Sequence, residues 1–298
     1  MPTPPKMAAQ PGAAEQPRLV PRRFSRGRLA FFRAVEAAAR TLGGRAYYRA
    51  RHLAPPRLVL REERLLVRGL APALEGFTLA QWSDLHAGSF LGQGSLTRAI
   101  ELVNARRPEV HVLTGDFVTH SVDEARVLLA DLAKLRSVHG TFAVFGNHDY
   151  KARRESEIAS AFGSFGVRFL RNECARIEVA PGAAVALVGL EDLEEGRVVD
   201  LSAARAEVGP GDVELLLCHN PGAGPRLARA GCVAILSGHT HGTQVDLPFL
   251  RKLAPVHPGI RVDYGCTRQI VSRGLGAVGL PWRVGAPAEV VLVVLERA

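Results

Sequence analysis

Phe77-Thr78-Leu79-Ala80-Gln81-Trp82-Ser83-Asp84-Leu85-His86 decides the fold of this chain. An apolar run of strand length ends there in a carboxylate and an imidazole, and the pattern then recurs. A helical period over Leu96 to Arg107 leads to a second apolar run, Glu109 to Thr114, which ends at Gly115-Asp116. Ser121 and Glu124 have the spacing of a capping box ahead of a period through Leu128, Leu129, Leu132 and Leu135. Thr141 to Phe145 then delivers Gly146-Asn147-His148-Asp149. Strands alternating with helices in this way specify an α/β protein whose motif-bearing loops gather at one sheet edge. Farther on, a short helix over Glu155 to Phe162 precedes short strands around Val167 to Leu170, Ala175 to Val179 and Val185 to Leu190. Val213 to Cys218 and Val233 to Leu236 run into His219 and into Gly238-His239-Thr240-His241, and Val290 to Leu295 is a last strand. Few helices interrupt this second half, so a second, more antiparallel sheet is expected.

Strands buried on both faces are near-continuous apolar runs, and polar groups at their ends are expensive to desolvate unless a cation pairs with them. Asp84, His86, Asp116, Asn147, His219, His239 and His241 are such groups, and a pair of metal ions is the natural partner. Two divalent ions roughly 3.5 to 4 Å apart lower the pKa of a shared water and clamp phosphoryl oxygens. A bridging carboxylate must hold like charges so close, and Asp116, on a tight Gly-Asp turn, is the candidate. Oxygen and nitrogen donors without a thiolate suit Mn, Fe, Zn or Co. Gly115, Gly146, Gly238 and Gly242 beside these residues are expected to allow tight turns and close approach of a substrate phosphate.

From about Leu79 to the C-terminus, these motifs resemble those of the calcineurin-like metallophosphoesterase superfamily. Trp82-Ser83-Asp84-Leu85-His86, Gly238-His239-Thr240-His241-Gly242 and Ser272-Arg273-Gly274-Leu275-Gly276 are similar to a bacterial branch related to membrane-associated phosphodiesterases and UDP-2,3-diacylglucosamine hydrolases. With the alternation above, the expected architecture is a four-layer α/β sandwich: two mixed β-sheets flanked by helices, with a dinuclear site at one edge. The resemblance assigns Asp84, His86, Asp116 and His241 to one divalent ion, and Asp116, Asn147, His219 and His239 to the other. It leaves His148 uncoordinated near the leaving group, to stabilise a phosphoryl oxygen or protonate the departing alkoxide. Asp149 is then expected to orient that imidazole. The implied activity is hydrolysis of a phosphate ester or pyrophosphate bond by a metal-bridged hydroxide. A non-catalytic metal-binding scaffold is the alternative class, and the retention of every ligand position argues against it.

The 298 residues, 47% hydrophobic, suffice for a real core, and they carry a formal charge of +9. Residues 1–70 hold 15 lysines and arginines against 4 acidic residues, while the remainder is nearly neutral at −2. A basic N-terminal arm over 1–55 therefore precedes a catalytic body over 56–298. Within the arm, Phe31, Phe32, Val35, Ala39 and Leu42 share one face of a helix, with Arg33, Glu36 and Arg40 opposite. Two readings stay open for it: docked on the body, or facing an anionic membrane. The second would suit a lipid-linked substrate such as UDP-2,3-diacylglucosamine in place of a small phosphate ester. A nuclease reading is disfavoured, because the basic stretch has no aromatic interleaving beyond Tyr47-Tyr48.

After Pro55-Pro56, a hairpin is suggested by Arg57 to Leu60 and Leu65 to Arg68. Cys174, Cys218, Cys232 and Cys266 lack a paired spacing and read as buried thiols in a reducing compartment. Arg22-Arg23 is a poor export signal, since Arg26, Arg28, Arg33, Glu36 and Arg40 break up the apolar stretch that such a signal requires behind it. A cytoplasmic protein, peripheral at the inner face of the membrane, is the expected setting. His52, His111, His120, His139 and His257 match no motif and read as structural or solvated; Arg273 and Arg283, either of which could hold a substrate phosphate, read rather as surface ion pairs.

Overall fold

The computed structural model describes residues 26–247 and 259–298; the start of the arm and His257 lie outside them. Twelve strands run through the described residues: β1 (Val59–Val67), β2 (Thr78–Trp82), β3 (Val110–Thr114), β4 (Thr141–Val144), β5 (Val167–Phe169), β6 (Glu173–Ala180), β7 (Ala183–Gly189), β8 (Val213–Leu217), β9 (Ala234–Ser237), β10 (Arg261–Tyr264), β11 (Thr267–Val271) and β12 (Glu289–Arg297). They form two six-stranded sheets, ordered β1-β12-β2-β3-β4-β5 and β10-β11-β9-β8-β7-β6. Strands β2 to β5 are parallel to one another, as are β7, β8, β9 and β11. The second sheet is thus less antiparallel than expected: only its outer pairs, β6 with β7 and β10 with β11, run that way.

Successive side chains of a strand point to opposite faces, and here both faces are covered. Leu79, Val112, Val291 and Val293 meet Val185, Leu187, Leu215 and Leu236 between the sheets. Their neighbours Ala80, Leu113, Val290 and Leu292 face outward instead, in the cluster that holds Ile100, Val103, Leu128 and Leu132. Ala186, Val188, Leu216 and Ile235 do the same on the far side of the second sheet. The result is the four-layer sandwich, with three apolar layers separating helix, sheet, sheet and helix.

Eight helices complete the described residues: α1 (Arg26–Ala39), α2 (Arg45–Tyr48), α3 (Thr97–Asn104), α4 (Arg126–Leu132), α5 (Asn147–Lys151), α6 (Glu155–Gly163), α7 (Leu201–Ala204) and α8 (Gly224–Arg229). The Ser121–Glu124 capping box forms, on a single tight turn just before α4. No helix among the described residues is long and apolar enough to cross a membrane.

Two expectations near the N-terminus are corrected. Residues 57–68 make no hairpin, because Arg61-Glu62-Glu63-Arg64 offers no turn residue; β1 runs straight through and pairs in parallel with β12 from Val59↔Glu289 to Val67↔Arg297. Arg61 reaches Glu289 at 3.1 Å and Arg64 reaches Glu296 at 2.8 Å, so the charges settle on the partner strand. The helix α1 stops at Ala39, where Leu42 and Gly43 leave helical geometry. Its faces follow the periodicity only in part: Arg33 and Arg40 are exposed and Ala39 packs on the core, but Glu36 is buried, while Phe31 and Leu42 are 63% and 87% exposed. The segment nevertheless docks, since Tyr48 and Leu53 join the core around Trp82 and Phe90. Cys174 and Cys218 are buried as expected, whereas Cys232 is partly buried and Cys266 exposed.

Candidate metal centre

Every predicted ligand follows the C-terminal end of a parallel strand. Asp84 and His86 follow β2, Asp116 follows β3, Asn147 opens α5 after β4, His219 follows β8, and His239 and His241 follow β9. The ladders extend beyond the strands: Asp84 N–H donates to Gly115 O at 3.0 Å and His86 N–H to Asp116 O at 3.0 Å. Gly238 N–H likewise reaches His219 O at 2.9 Å. Sheet pairing itself therefore gathers the loops of each sheet, and His239 N–H, donating to Asp84 Oδ1 at 3.0 Å, joins the two sets.

Asp84, His86 and His241 form one cluster and Asp116, His219 and His239 a second, each with one donor atom per residue within 4.8 Å of the others. Asp116 lies between them, its Oδ2 3.5 Å from His86 Nε2 and 3.3 Å from His219 Nε2. Asn147 Oδ1 is 3.1 Å from His239 Nδ1, which brings it to the second cluster. His241 Nε2 is 3.4 Å from Asp84 Oδ1 and 3.0 Å from His86 Nε2.

A cation fits these donors. His219 is fully buried; its Nδ1 sits 2.7 Å from Thr114 O and carries the proton, while Nε2 has no hydrogen-bond partner. A buried imidazole nitrogen without a hydrogen-bond partner, 3.3 Å from a carboxylate oxygen, is what a ligand looks like. Burial lowers His86 and His239 to about 3 and pushes His241 well down, keeping all three in the neutral form that binds metal. At His219 burial acts the same way but is outweighed by the Asp116 carboxylate, so this position calls for positive charge. These two clusters are where this chain would hold divalent ions.

The other predicted residues are placed differently from expectation. Asp149 does not touch His148: its Oδ2 accepts from the N–H groups of Asp116 and Gly146 at 2.9 Å each, and its Oδ1 from Phe117 at 2.8 Å and Val118 at 3.2 Å. The carbonyl of Thr119, 3.0 Å from His148 Nδ1, orients the imidazole instead. The glycines make room for the ligand side chains: a Cβ on Gly146 would collide with the Asp116 carboxylate, and one on Gly238 with Ser83 and Asp84. Arg283 is no surface group; it is buried, bonded to Gly276 O and to Tyr48 Oη at 2.8 Å, and 3.4 Å from His241 Nδ1. Arg273 does form an ion pair, with buried Glu289.

Three further residues belong to the centre. Ser83 Oγ–H donates to Asp84 Oδ2 at 2.6 Å, Thr119 Oγ1 lies 3.4 Å from His86 Nδ1, and Glu194 Oε1 lies 3.5 Å from His239 Nε2. Ser83 and Thr119 stand beside ligand motifs, a signal that could have found them; Glu194, in the acidic run Glu191 to Glu195, carries no such signal.

A two-sheet α/β sandwich with clustered carboxylate and imidazole donors at its edge defines a metallohydrolase. Residues 77–243, more than half of the chain, match the family model for calcineurin-like phosphoesterases, and the chain belongs to that family. It is 28% identical over 282 residues to the uncharacterized metallophosphoesterase YkuE of Bacillus subtilis (strain 168), covering 92% of this chain and 97% of that protein. It is 32% identical over 249 residues to the transmembrane protein with metallophosphoesterase domain of Bos taurus, covering 78% and 56%. An uncharacterized metallophosphoesterase of Helicobacter pylori (strain ATCC 700392 / 26695) is 32% identical over 216 residues, covering 70% and 56%. The chain thus spans little more than half the length of the latter two.

Proposed function

We propose that this chain hydrolyses a phosphate ester or pyrophosphate bond with two divalent ions. Asp84, His86, Asp116 and His241 would hold one, and Asp116, Asn147, His219 and His239 the other. The reading is carried by Asp116 Oδ2, the carboxylate oxygen close to Nε2 of both His86 and His219. Ions so held supply a nucleophile from water at neutral pH and offset charge on the phosphoryl oxygens. Mn, Fe, Zn and Co all suit the oxygen and nitrogen donors.

His148 serves the departing oxygen. Its Nδ1 is tied to the Thr119 carbonyl, so Nε2 is the nitrogen left to face substrate. Burial lowers its pKa; the neutral ring accepts a hydrogen bond at Nε2, and the protonated ring gives its proton to the leaving group. Asp149 acts through the backbone, by holding the turns that carry Asp116 and Asn147. The test is turnover of bis-p-nitrophenyl phosphate by the chelator-stripped chain with Mn2+ restored. Asp116→Asn should lose at least about 100-fold, the scale of removing one preorganised charge-stabilising group. Activity equal to wild type in that variant would remove the bridge.

A lipid-linked diphosphate such as UDP-2,3-diacylglucosamine, met at an anionic membrane surface, is our finer reading of the substrate. It draws support from Phe31, Leu42 and Tyr47, exposed beside the exposed Arg33, Arg49 and Arg51. Sedimentation with anionic liposomes that is undiminished by Phe31→Glu and Leu42→Glu together would count against it.

A further inference from the structure

Glu36 lies outside the stretch matched by the family model, on the face of α1 that its period assigns to solvent, yet its carboxylate is buried. Ser89 Oγ–H donates to Glu36 Oε1 at 2.8 Å, Ser89 Oγ is 2.7 Å from Thr119 Oγ1, and Thr119 Oγ1 is 3.4 Å from His86 Nδ1. An unbroken line of contacts thus joins α1 to an imidazole whose other nitrogen faces Asp116 and His241.

The line has one direction. A carboxylate only accepts, so Ser89 must donate to it. With its proton so committed, Ser89 Oγ accepts from the Thr119 hydroxyl, and Thr119 Oγ1 in turn accepts from His86 Nδ1–H. His86 Nε2 is left with a bare lone pair. Metal-binding histidines commonly give their second N–H to a carboxylate or carbonyl; here two hydroxyls carry that link to an element far away in sequence.

The anchor is well held. Glu36 Oε2 accepts from Gly279 N–H at 3.1 Å, and His120 Nε2 is 3.3 Å from Oε1. Burial alone would raise this carboxyl, but His120 and Ser89 bring it down to about 2, so it stays charged. The same N-terminal segment also grips the loop after His86, where Arg40 reaches Gly88 O at 3.3 Å and Arg45 reaches Ser89 O at 3.2 Å.

We propose that Glu36 is a positioning residue of the metal centre: through Ser89 and Thr119 it fixes the His86 tautomer that offers Nε2 to an ion in the Asp84–His86–His241 cluster. This rests on the metal reading above. The experiment is a calorimetric and visible-absorption titration of the chelator-stripped full chain with Co2+ alone. Glu36→Gln turns an amide donor toward either Gly279 N–H or Ser89, while Ser89→Ala cuts the line and leaves the carboxylate intact. Wild type should take up two ions, and each variant should bind one of them about 10-fold more weakly and the other within about twofold. Unchanged affinities in both variants, beside two-ion uptake by wild type, would overturn the relay and leave the metal reading standing. Equal weakening of both events would mark general loosening and overturn it too. No Co2+ uptake by wild type would overturn both.

Discussion

Asp149→Asn separates two jobs for one buried carboxylate. In the structure each oxygen takes two backbone N–H groups, Oδ2 those of Asp116 and Gly146, Oδ1 those of Phe117 and Val118. Burial and the neighbouring Asp116 push this carboxyl up to about 8, yet all four partners are donors and none would take a carboxylic-acid proton. The ionised form is therefore the one this geometry holds. Asparagine is nearly isosteric, but its NH2 must replace one oxygen and oppose two N–H groups that have no other partner. A buried donor left unsatisfied costs about 1–3 kcal/mol, so the pair costs roughly 2–6 kcal/mol. Urea unfolding at neutral pH, with chelator present to exclude metal linkage, reads this directly. Because Thr119 and not Asp149 holds His148, the variant's residual activity should keep the wild-type ranking of leaving groups. A variant within about 0.5 kcal/mol of wild type, with that ranking altered, would refute the scaffold role and restore the orienting one.

His148→Ala should lose about 100- to 10,000-fold with phenyl or alkyl phosphate esters, and much less with p-nitrophenyl esters, whose leaving group needs no proton. An equal loss across that series would exclude His148 as the acid. Away from the site, burial lowers His111 from its ordinary 6.5 to about 4. A neutral histidine favoured by folding adds stability above pH 6.5 that fades as pH falls toward 4, about 2 kcal/mol between pH 7 and 5. His111→Gln can still accept from Trp82 Nε1–H and donate to Arg136 O, as His111 does at 3.2 and 3.0 Å. Its stability should therefore fall less between those pH values, and an unchanged slope would contradict the assignment.

Locality explains how much of this fold and site is legible in the sequence. A strand buried on both faces is a short apolar run, and its ligand comes next in the chain, so β2, β3, β4, β8 and β9 are legible to within a residue or two. The strands that escape depend on distant partners. β1 is set by β12, more than 200 residues away, and without that partner Arg61 to Arg64 looks like a turn. β10 and β11 show no apolar alternation strong enough to announce them. Glu36 reads as solvent-facing because its compensation comes from Ser89, His120 and Gly279, none of them near in sequence. Arg283 reads as a surface group because its side-chain partner, Tyr48, is distant in sequence and the Gly276 and Ala286 carbonyls of its own loop turn toward it only in the fold.

The backbone of the ligands carries information that no residue type in the motifs betrays. Asp84, His86, Asp116, His239 and His241 all have positive φ, from 44° to 71°, a region that side chains with a Cβ rarely adopt. Each such residue costs on the order of 1–3 kcal/mol and persists only where its surroundings over-determine it. Those surroundings are identifiable here. Asp84 accepts from His239 N–H at 3.0 Å, Asp116 Oδ1 accepts from His148 N–H at 2.8 Å, and Asp149 fastens residues 116 to 118. The carboxylates that face the cation sites are therefore also the acceptors that hold neighbouring ligand loops in their strained form. One set of bonds thus holds both side-chain donors and backbone, which would leave little reorganisation for an ion to bring about. Removing one carboxylate should then disturb the partner loop as well as the proposed ligand set, a mechanical coupling of the two clusters beside the one proposed through Asp116.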